Sequence, residues 1–469
     1  MTGFTRPSSI SAVPRRQTGI LTRESLPLLT STRRNRRHPM AEPSIDPNAE
    51  LLALSESETF QDQQRVHDIF SRLRREDPVA WTPEPFGGPG FWSITKYDDI
   101  QFVSKNPKLF SSDQQLGGIT LESPQMRANR EGRELADDEI ASVFQAGRSM
   151  IAMDPPDHNV HRRMVAPGLT PQKLDDLTPR IRGRCSEILD RIAAQDQCEF
   201  VASVAAELPI QMLAELLGVD QARRHDLFEW SNIIIGGDDP DVATSREHVV
   251  SAFMGMVDFA VELHAERLKS PGPDLISMLV HTKVDGKPMD MADYISAFVL
   301  LVVAGNETTR NSISGGMLAL SQHPEERRKL LDDPALMPSA VNEIIRWVAP
   351  VVYMRRTALD DVELGGKQVR KGDKLALWYM SGNRDEDKWD DPFRFDISRD
   401  GPRHLSFGYG QHLCIGWRLA EIQLTVVLEE LLRRFPDMTV DGEVDRLRSN
   451  FLNSIKRMNV RYTAERDAA

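Results

Sequence analysis

The tightest constraint on this chain is the run His404-Leu-Ser-Phe407-Gly408-Tyr-Gly410-Gln-His412-Leu-Cys414-Ile-Gly416. Three glycines within nine residues exclude a regular strand or helix. They suit a tight loop whose backbone passes close to something flat or bulky. From Trp417 to Phe435 the apolar residues Ala420, Leu424, Val427, Leu428 and Leu431 recur at helical spacing, so one face of that helix is expected to be buried. Cys414 is thereby expected at a helix N-terminus, where backbone N–H groups and the helix dipole favour a thiolate. Cys185 and Cys198 have no such frame and read as structural thiols.

A thiolate framed by glycine N–H groups suits the iron of a haem in a monooxygenase. The chemistry needs an oxygen side as well. Met291 to Gln322 reads as one long helix with Asp290 as N-cap. Leu301, Ala304, Gly305, Thr308 and Ser312 share one of its faces. Small residues at 304 and 305 let a flat macrocycle approach the backbone. Thr308 can bond the carbonyl four residues earlier, bending the helix and opening a groove. Groove, hydroxyl and the Glu307 carboxylate together offer an O2 site, a donor and a proton path. Phe91–Thr95, Val362–Leu364, Lys367–Arg370 and Lys374–Tyr379 read as strands, the last three separated by glycine turns. Elsewhere helical patterns dominate. The expected fold is mainly α with a small β portion.

The Phe-Gly-x-Gly-x-His-x-Cys-x-Gly string resembles the haem-binding loop of the cytochrome P-450 superfamily. Glu307-Thr308 resembles the acid–Thr pair of the same superfamily. The resemblance implies one large fold of many helices around a buried haem b, with Cys414 as the axial thiolate ligand. It implies that Phe407, Gly408, Gly416, Ala304 and Gly305 lie against the haem, and that Thr308 and Glu307 serve oxygen activation. Glu343-Ile-Ile-Arg346 then becomes a buried pair, joined by Arg399, that braces the thiolate loop. His158 and Arg162, one turn apart on a helix opened by Asp154-Pro-Pro-Asp, match a propionate-binding pair. Arg356 and His412 match two further propionate contacts, with Arg355 as the alternative to Arg356.

Met150–Pro156, Glu343–Trp347, Met354–Ala358, Val362–Gly366 and Trp378–Glu386 look like the soluble bacterial alkane terminal hydroxylases, family 153. This implies terminal hydroxylation of medium-chain n-alkanes or fatty acids, with electrons from a ferredoxin and ferredoxin reductase. The chain departs from that pattern at Ala304, Leu413 and Trp417. Attack on a terminal methyl needs a narrow tube that enforces it by shape. Its candidate walls are Leu300, Leu301, Ala304, Val351, Val352, Tyr353, Met354, Phe451 and Leu452, any of which serves equally as plain core. The polar run Leu109–Ile151 reads as a capping loop. Leu208–Ala260 is the mobile lid by family analogy.

The net charge of −12 argues against general nucleic-acid binding. No apolar run approaches the roughly 20 residues of a membrane span. Three scattered cysteines fit a reducing compartment, and a cytoplasmic monomer is expected. Residues 1–40 carry eight arginines and one acid and read as a disordered basic tail, resembling a transit peptide or serving only as a solvated extension. Residues 41–469 form the haem domain. Three alternatives stand beside terminal hydroxylation of linear chains. They are a peroxide-driven peroxygenase, a non-catalytic haem carrier or sensor, and the same chemistry on a terpenoid or steroid side chain.

Overall fold

The computed structural model describes residues 47–134, 148–284 and 286–465. The basic segment 1–40 and part of the expected capping loop lie outside the described residues. Helices dominate, as the periodicity implied. Those that position the site are α1 (Gln63–Glu76), α2 (Asp157–Val165), α3 (Glu207–Leu217), α4 (Arg224–Ile235), α5 (Arg246–Lys269), α6 (Met291–Gln322), α7 (Met337–Val348) and α8 (Trp417–Arg434). The strands beside them are β1 (Val79–Thr82), β2 (Phe91–Ile94), β3 (Phe110–Ser111), β4 (Tyr353–Ala358) and β5 (Lys374–Trp378).

These five strands form one sheet in the order β1-β2-β5-β4-β3. Only the β2–β5 pair is parallel, with Ser93 opposite Ala376. In the antiparallel β4–β5 pair Arg356 lies opposite Leu375. The hairpin Val362–Leu364 with Lys367–Val369 stands apart from this sheet. Four expected strands are present within a residue of their expected ends. β1, β3 and β4 were not expected. β4 is buried on both faces for most of its length, so it lacks the alternation that marks a strand in sequence.

α6 organises the molecule. Its N-cap is Asp290, whose carboxylate accepts from the Asp293 N–H at 2.8 Å. Its first half, including Phe298 and Val302, packs with α3 and α5 in one apolar cluster. Its second half, including Ile313 and Met317, packs with α7 and α8 in another. Each fully buried Leu or Phe in such a cluster contributes about 1.5–3 kcal/mol. Between the two clusters the helix changes character. Ala304 and Gly305 are exposed, whereas Asn306, Glu307, Arg310 and Asn311 are buried polar residues.

Two expectations change. α2 starts at Asp157 with Pro156 as its N-cap, so the prolines precede its first turn. The segment expected as a lid begins with α3, whose Leu208, Ile210, Met212, Leu213, Ala214 and Leu217 are buried in the core. Its apolar residues fill the whole circumference rather than one stripe, which belongs to an interior helix.

Candidate active site

The cysteine loop is a folded-back turn. The Cys414 N–H donates to the Phe407 carbonyl at 2.8 Å, and the Gly408 N–H to the Leu405 carbonyl at 2.7 Å. Gly408 and Gly410 both have positive φ, at 70° and 67°. A side chain at Gly410 would also collide with the Ser104 carbonyl oxygen. Glycine is required there by conformation and by space. Gly416 is the N-cap of α8, and among the described residues no atom beyond its chain neighbours lies within 4 Å of where its Cβ would stand. Ile415 packs in the same apolar cluster as Leu301 and Val303 of α6.

Burial raises the Cys414 thiol above its ordinary value. The Gly416 N–H, Arg162 and Arg403 pull the other way without overcoming it. Burial thus opposes the thiolate that the Gly416 N–H favours. A bound cation deprotonates a coordinating thiol outright.

The loop hangs on a braced scaffold. Arg346 donates to both oxygens of Glu343, Nε to Oε2 at 2.7 Å and Nη2 to Oε1 at 2.8 Å. Arg399 Nε reaches Glu343 Oε1 at 3.2 Å. Arg346 Nη1 then donates to the Asn383 carbonyl at 2.6 Å. The Asn383 side chain accepts from the Leu405 N–H at 2.7 Å and donates to Ser406 Oγ at 2.8 Å. The expected trio is thus linked to the cysteine loop through Asn383, which sequence reading did not single out.

His158, Arg162, Arg356 and His412 come together. The His158 and His412 rings lie 4.3 Å apart. Burial, then Arg356, His158 and Arg162, hold the His412 imidazole down to about 2, so it is neutral. Among the described residues His412 Nε2 has no hydrogen-bond partner, and neither Arg162 nor Arg356 has a carboxylate partner. Arg355 is committed elsewhere, donating to the carbonyls of Leu116 and Gly117 at 2.8 and 2.9 Å. Neighbours on a strand point to opposite faces, which separates the two arginines.

On α6 the Thr308 hydroxyl donates to the Ala304 carbonyl at 2.9 Å, as its position suggested. Among the described residues outside its own helix turn, only Leu213 Cδ1, at 3.4 Å, lies near where a Gly305 Cβ would stand. Glu307 points the other way. It is fully buried, ion-paired with Arg310, and accepts from Asn306 Nδ2 at 3.1 Å. Burial raises its carboxyl above the usual range, and Arg310 opposes that. Arg310 continues to Asn232 Oδ1 at 3.1 Å and Ser454 Oγ at 3.2 Å.

The candidate pocket walls divide. Leu300 and Leu301 border a small cavity with Met150 and Val165. Val351 and Met354 are half-buried against the cluster around Tyr97 and Leu375. Val352 and Leu452 keep 0% and 2% of their surface and are core. Phe451 packs on Tyr353 with ring centroids 5.4 Å apart. Arg403, also missed, stacks 4.7 Å over Trp417 and adds positive charge near Cys414.

An exposed Ala-Gly step in a buried helix, a glycine-framed cysteine, and cations with an orphaned imidazole nitrogen fit a flat dianionic macrocycle with an iron centre. The comparisons agree. The Cytochrome P450 family model matches residues 205–460. The chain is 42% identical to linalool 8-monooxygenase of Pseudomonas putida, covering 85% of this chain and 96% of that one. It is 38% identical to the methyl-branched lipid omega-hydroxylase of Mycobacterium bovis, covering 84% and 90%. A Mycobacterium marinum cytochrome P450 solved with pseudoionone aligns over 91% of this chain and 99% of that one, with a TM-score of 0.78 and 34% identity. The chain belongs to the cytochrome P450 family. It is a monooxygenase whose cofactor is haem b with a cysteine thiolate as axial ligand. No described helix is long and apolar enough to cross a membrane.

Proposed function

We propose that this chain hydroxylates the terminal carbon of an apolar chain-like substrate, inserting one atom of O2 while two electrons and two protons carry the other to water. Cys414 ligates the iron. His158, Arg162, Arg356 and His412 hold the propionates, and Phe407, Gly408, Gly416, Ala304 and Gly305 form the surfaces against the macrocycle. When bound, the haem supplies oxygen activation and transfer of an oxygen atom into an unactivated C–H bond. Thr308 offers a hydroxyl beside the opening at Ala304, and Glu307, paired with Arg310, supplies the neighbouring carboxyl group. Glu343, Arg346 and Arg399 keep the loop in register. The electrons come from a ferredoxin served by its reductase. The catalytic domain is residues 41–469.

The observation that carries the reading is the pairing of the Cys414 loop with the Thr308–Ala304 hydrogen bond, since oxygen activation needs both. Two readings of the substrate follow from different evidence. The motif resemblance speaks for an unbranched alkane or fatty acid. The relatives named for linalool and for methyl-branched lipid, each matched over more than four fifths of this chain, speak for a methyl-branched one. We take the branched chain as the better fit, because whole-length similarity includes the walls that short motifs omit. Purified enzyme with a surrogate ferredoxin system would be offered dodecane, dodecanoic acid and a branched terpenoid alcohol in parallel. Terminal alcohol chiefly from the terpenoid supports this reading. Terminal alcohol chiefly from dodecane or dodecanoate restores the linear one. Scattered in-chain alcohols from every substrate sink both. Full turnover with peroxide alone, independent of electrons, would instead identify a peroxygenase.

A further inference from the structure

A cavity of 910 Å³ opens beside the second half of α6, and none of the residues assigned to the haem cleft lines it. α1 contributes His67, Asp68 and Arg75 to its wall, and Arg384 and Arg446 reach it from elsewhere. Its charge is unbalanced. Asp68 is the one acid among the described lining residues, and it already accepts from Gln64 Nε2 at 2.8 Å.

Arg384 is 3% exposed, and its only hydrogen bond among the described residues runs from Nη2 to the Trp347 carbonyl at 2.8 Å. Its Nε and Nη1 have no hydrogen-bond partner among the described residues, although the guanidinium lies 4.7 Å over the Trp347 ring. Two neighbouring buried arginines are neutralised: Arg74 by Glu386 at 2.8 Å and Arg346 by Glu343 at 2.7 Å. Arg384 and Arg446 have no carboxylate among the described residues. Arg446 Nη1 donates only to Asn453 Oδ1, at 3.2 Å. His67 Nδ1 also has no hydrogen-bond partner among the described residues. Burial and the surrounding arginines, Arg384 first, hold the imidazole well below its ordinary value, as a strongly positive local field requires. Buried donors and charges without partners are costly, and native proteins retain few of them without a ligand or a role. Trp347, Val348 and Leu318 add an apolar wall to the same cavity.

We propose that this cavity binds the carboxylate or phosphate group of a small organic anion, held by Arg384 and Arg446, with its apolar body along Trp347, Val348 and Leu318. The guanidinium fork matches either oxyanion. The site is separate from the haem cleft and does not depend on the substrate assigned to it.

Calorimetric titration of haem-loaded protein, with the iron side blocked by a tight azole ligand, tests this. The probes are octanoate, hexyl phosphate and octanol. At least one anion is expected to bind once per chain, and octanol not at all. Which anion binds identifies the headgroup. Arg446→Gln, at a half-buried position, is expected to weaken binding about tenfold, the loss of one charge-assisted hydrogen bond. Arg384→Gln should weaken it further. If that variant does not fold, Arg446→Gln and Arg446→Glu decide alone, provided the haem spectrum is unchanged. Neither anion binding, octanol binding as tightly as octanoate, or Arg446→Gln titrating like the parent overturns the proposal. None of these readouts uses turnover, so failure here leaves the monooxygenase reading untouched.

Discussion

Two arginine clusters flank the cysteine loop, and they are built in opposite ways. In one, Arg346 and Arg399 share the Glu343 carboxylate, with Arg346 1% and Glu343 3% exposed. In the other, Arg162 and Arg356 stand beside His158 and His412 with no carboxylate partner among the described residues. Cations that find their counter-charge inside the chain hold the fold. Cations that do not are set for a charge from outside. The cavity at Arg384 follows the second pattern, and that is why it draws notice.

Mutations can break this contrast. The largest effect is expected at the point both clusters serve. Cys414→Ala should reduce monooxygenase activity to background and abolish the thiolate-type CO spectrum, while the urea midpoint moves little. Full activity with an unchanged spectrum would defeat the assignment. Glu343→Gln should come next, because it strands Arg346 as a buried unpaired charge. A loss of about 3–5 kcal/mol is expected in denaturant unfolding. Arg356→Leu should behave inversely. The haem-free chain should unfold at nearly the same denaturant concentration, while haem retention weakens about tenfold. If Arg356→Leu collapses the fold and Glu343→Gln spares it, the contrast is wrong.

The sequence made one of these clusters easier to read than the other. Glu343 and Arg346 are three residues apart on one helix, so their contact is local. The second cluster joins α2, β4 and the cysteine loop, and Arg355 and Arg356 could not be separated until the strand direction was known. The bounds of α6 were legible because a cap and an apolar period mark them. Asn383, Arg403 and Leu213 were not, since each acts on residues distant in the chain and none carries a motif. Val352 and Leu452 looked like pocket walls for the same reason that core and pocket residues look alike: both are apolar.

Smaller effects sharpen the picture on the oxygen side. Thr308→Ala should keep haem and fold yet divert electrons to peroxide, measured as the ratio of product to electron donor consumed. Unchanged coupling would remove Thr308 from that role. The smallest effect concerns His404, which is 2% exposed, with neither ring nitrogen hydrogen-bonded among the described residues and its basicity lowered by burial to about 3. A histidine with a depressed folded value lets the unfolded chain bind the extra proton. Stability is therefore full above pH 6.5 and falls as pH drops toward 3. His404→Phe should flatten that slope by up to about 1.4 kcal/mol per pH unit. Identical slopes between pH 6 and 5 would show that His404 does not contribute.

The Asn383 joint carries a consequence for how such a chain diversifies. Its side-chain amide accepts from Leu405 and donates to Ser406, so the start of the cysteine loop is held by a residue that is not itself one of the candidate pocket walls. Leu300, Leu301 and Met354 sit on α6 and β4 instead. Inheritance can therefore rewrite what the enzyme consumes while leaving the suspension alone. A laboratory lineage selected for new substrates should accumulate its changes on those two elements and leave Asn383 unvaried.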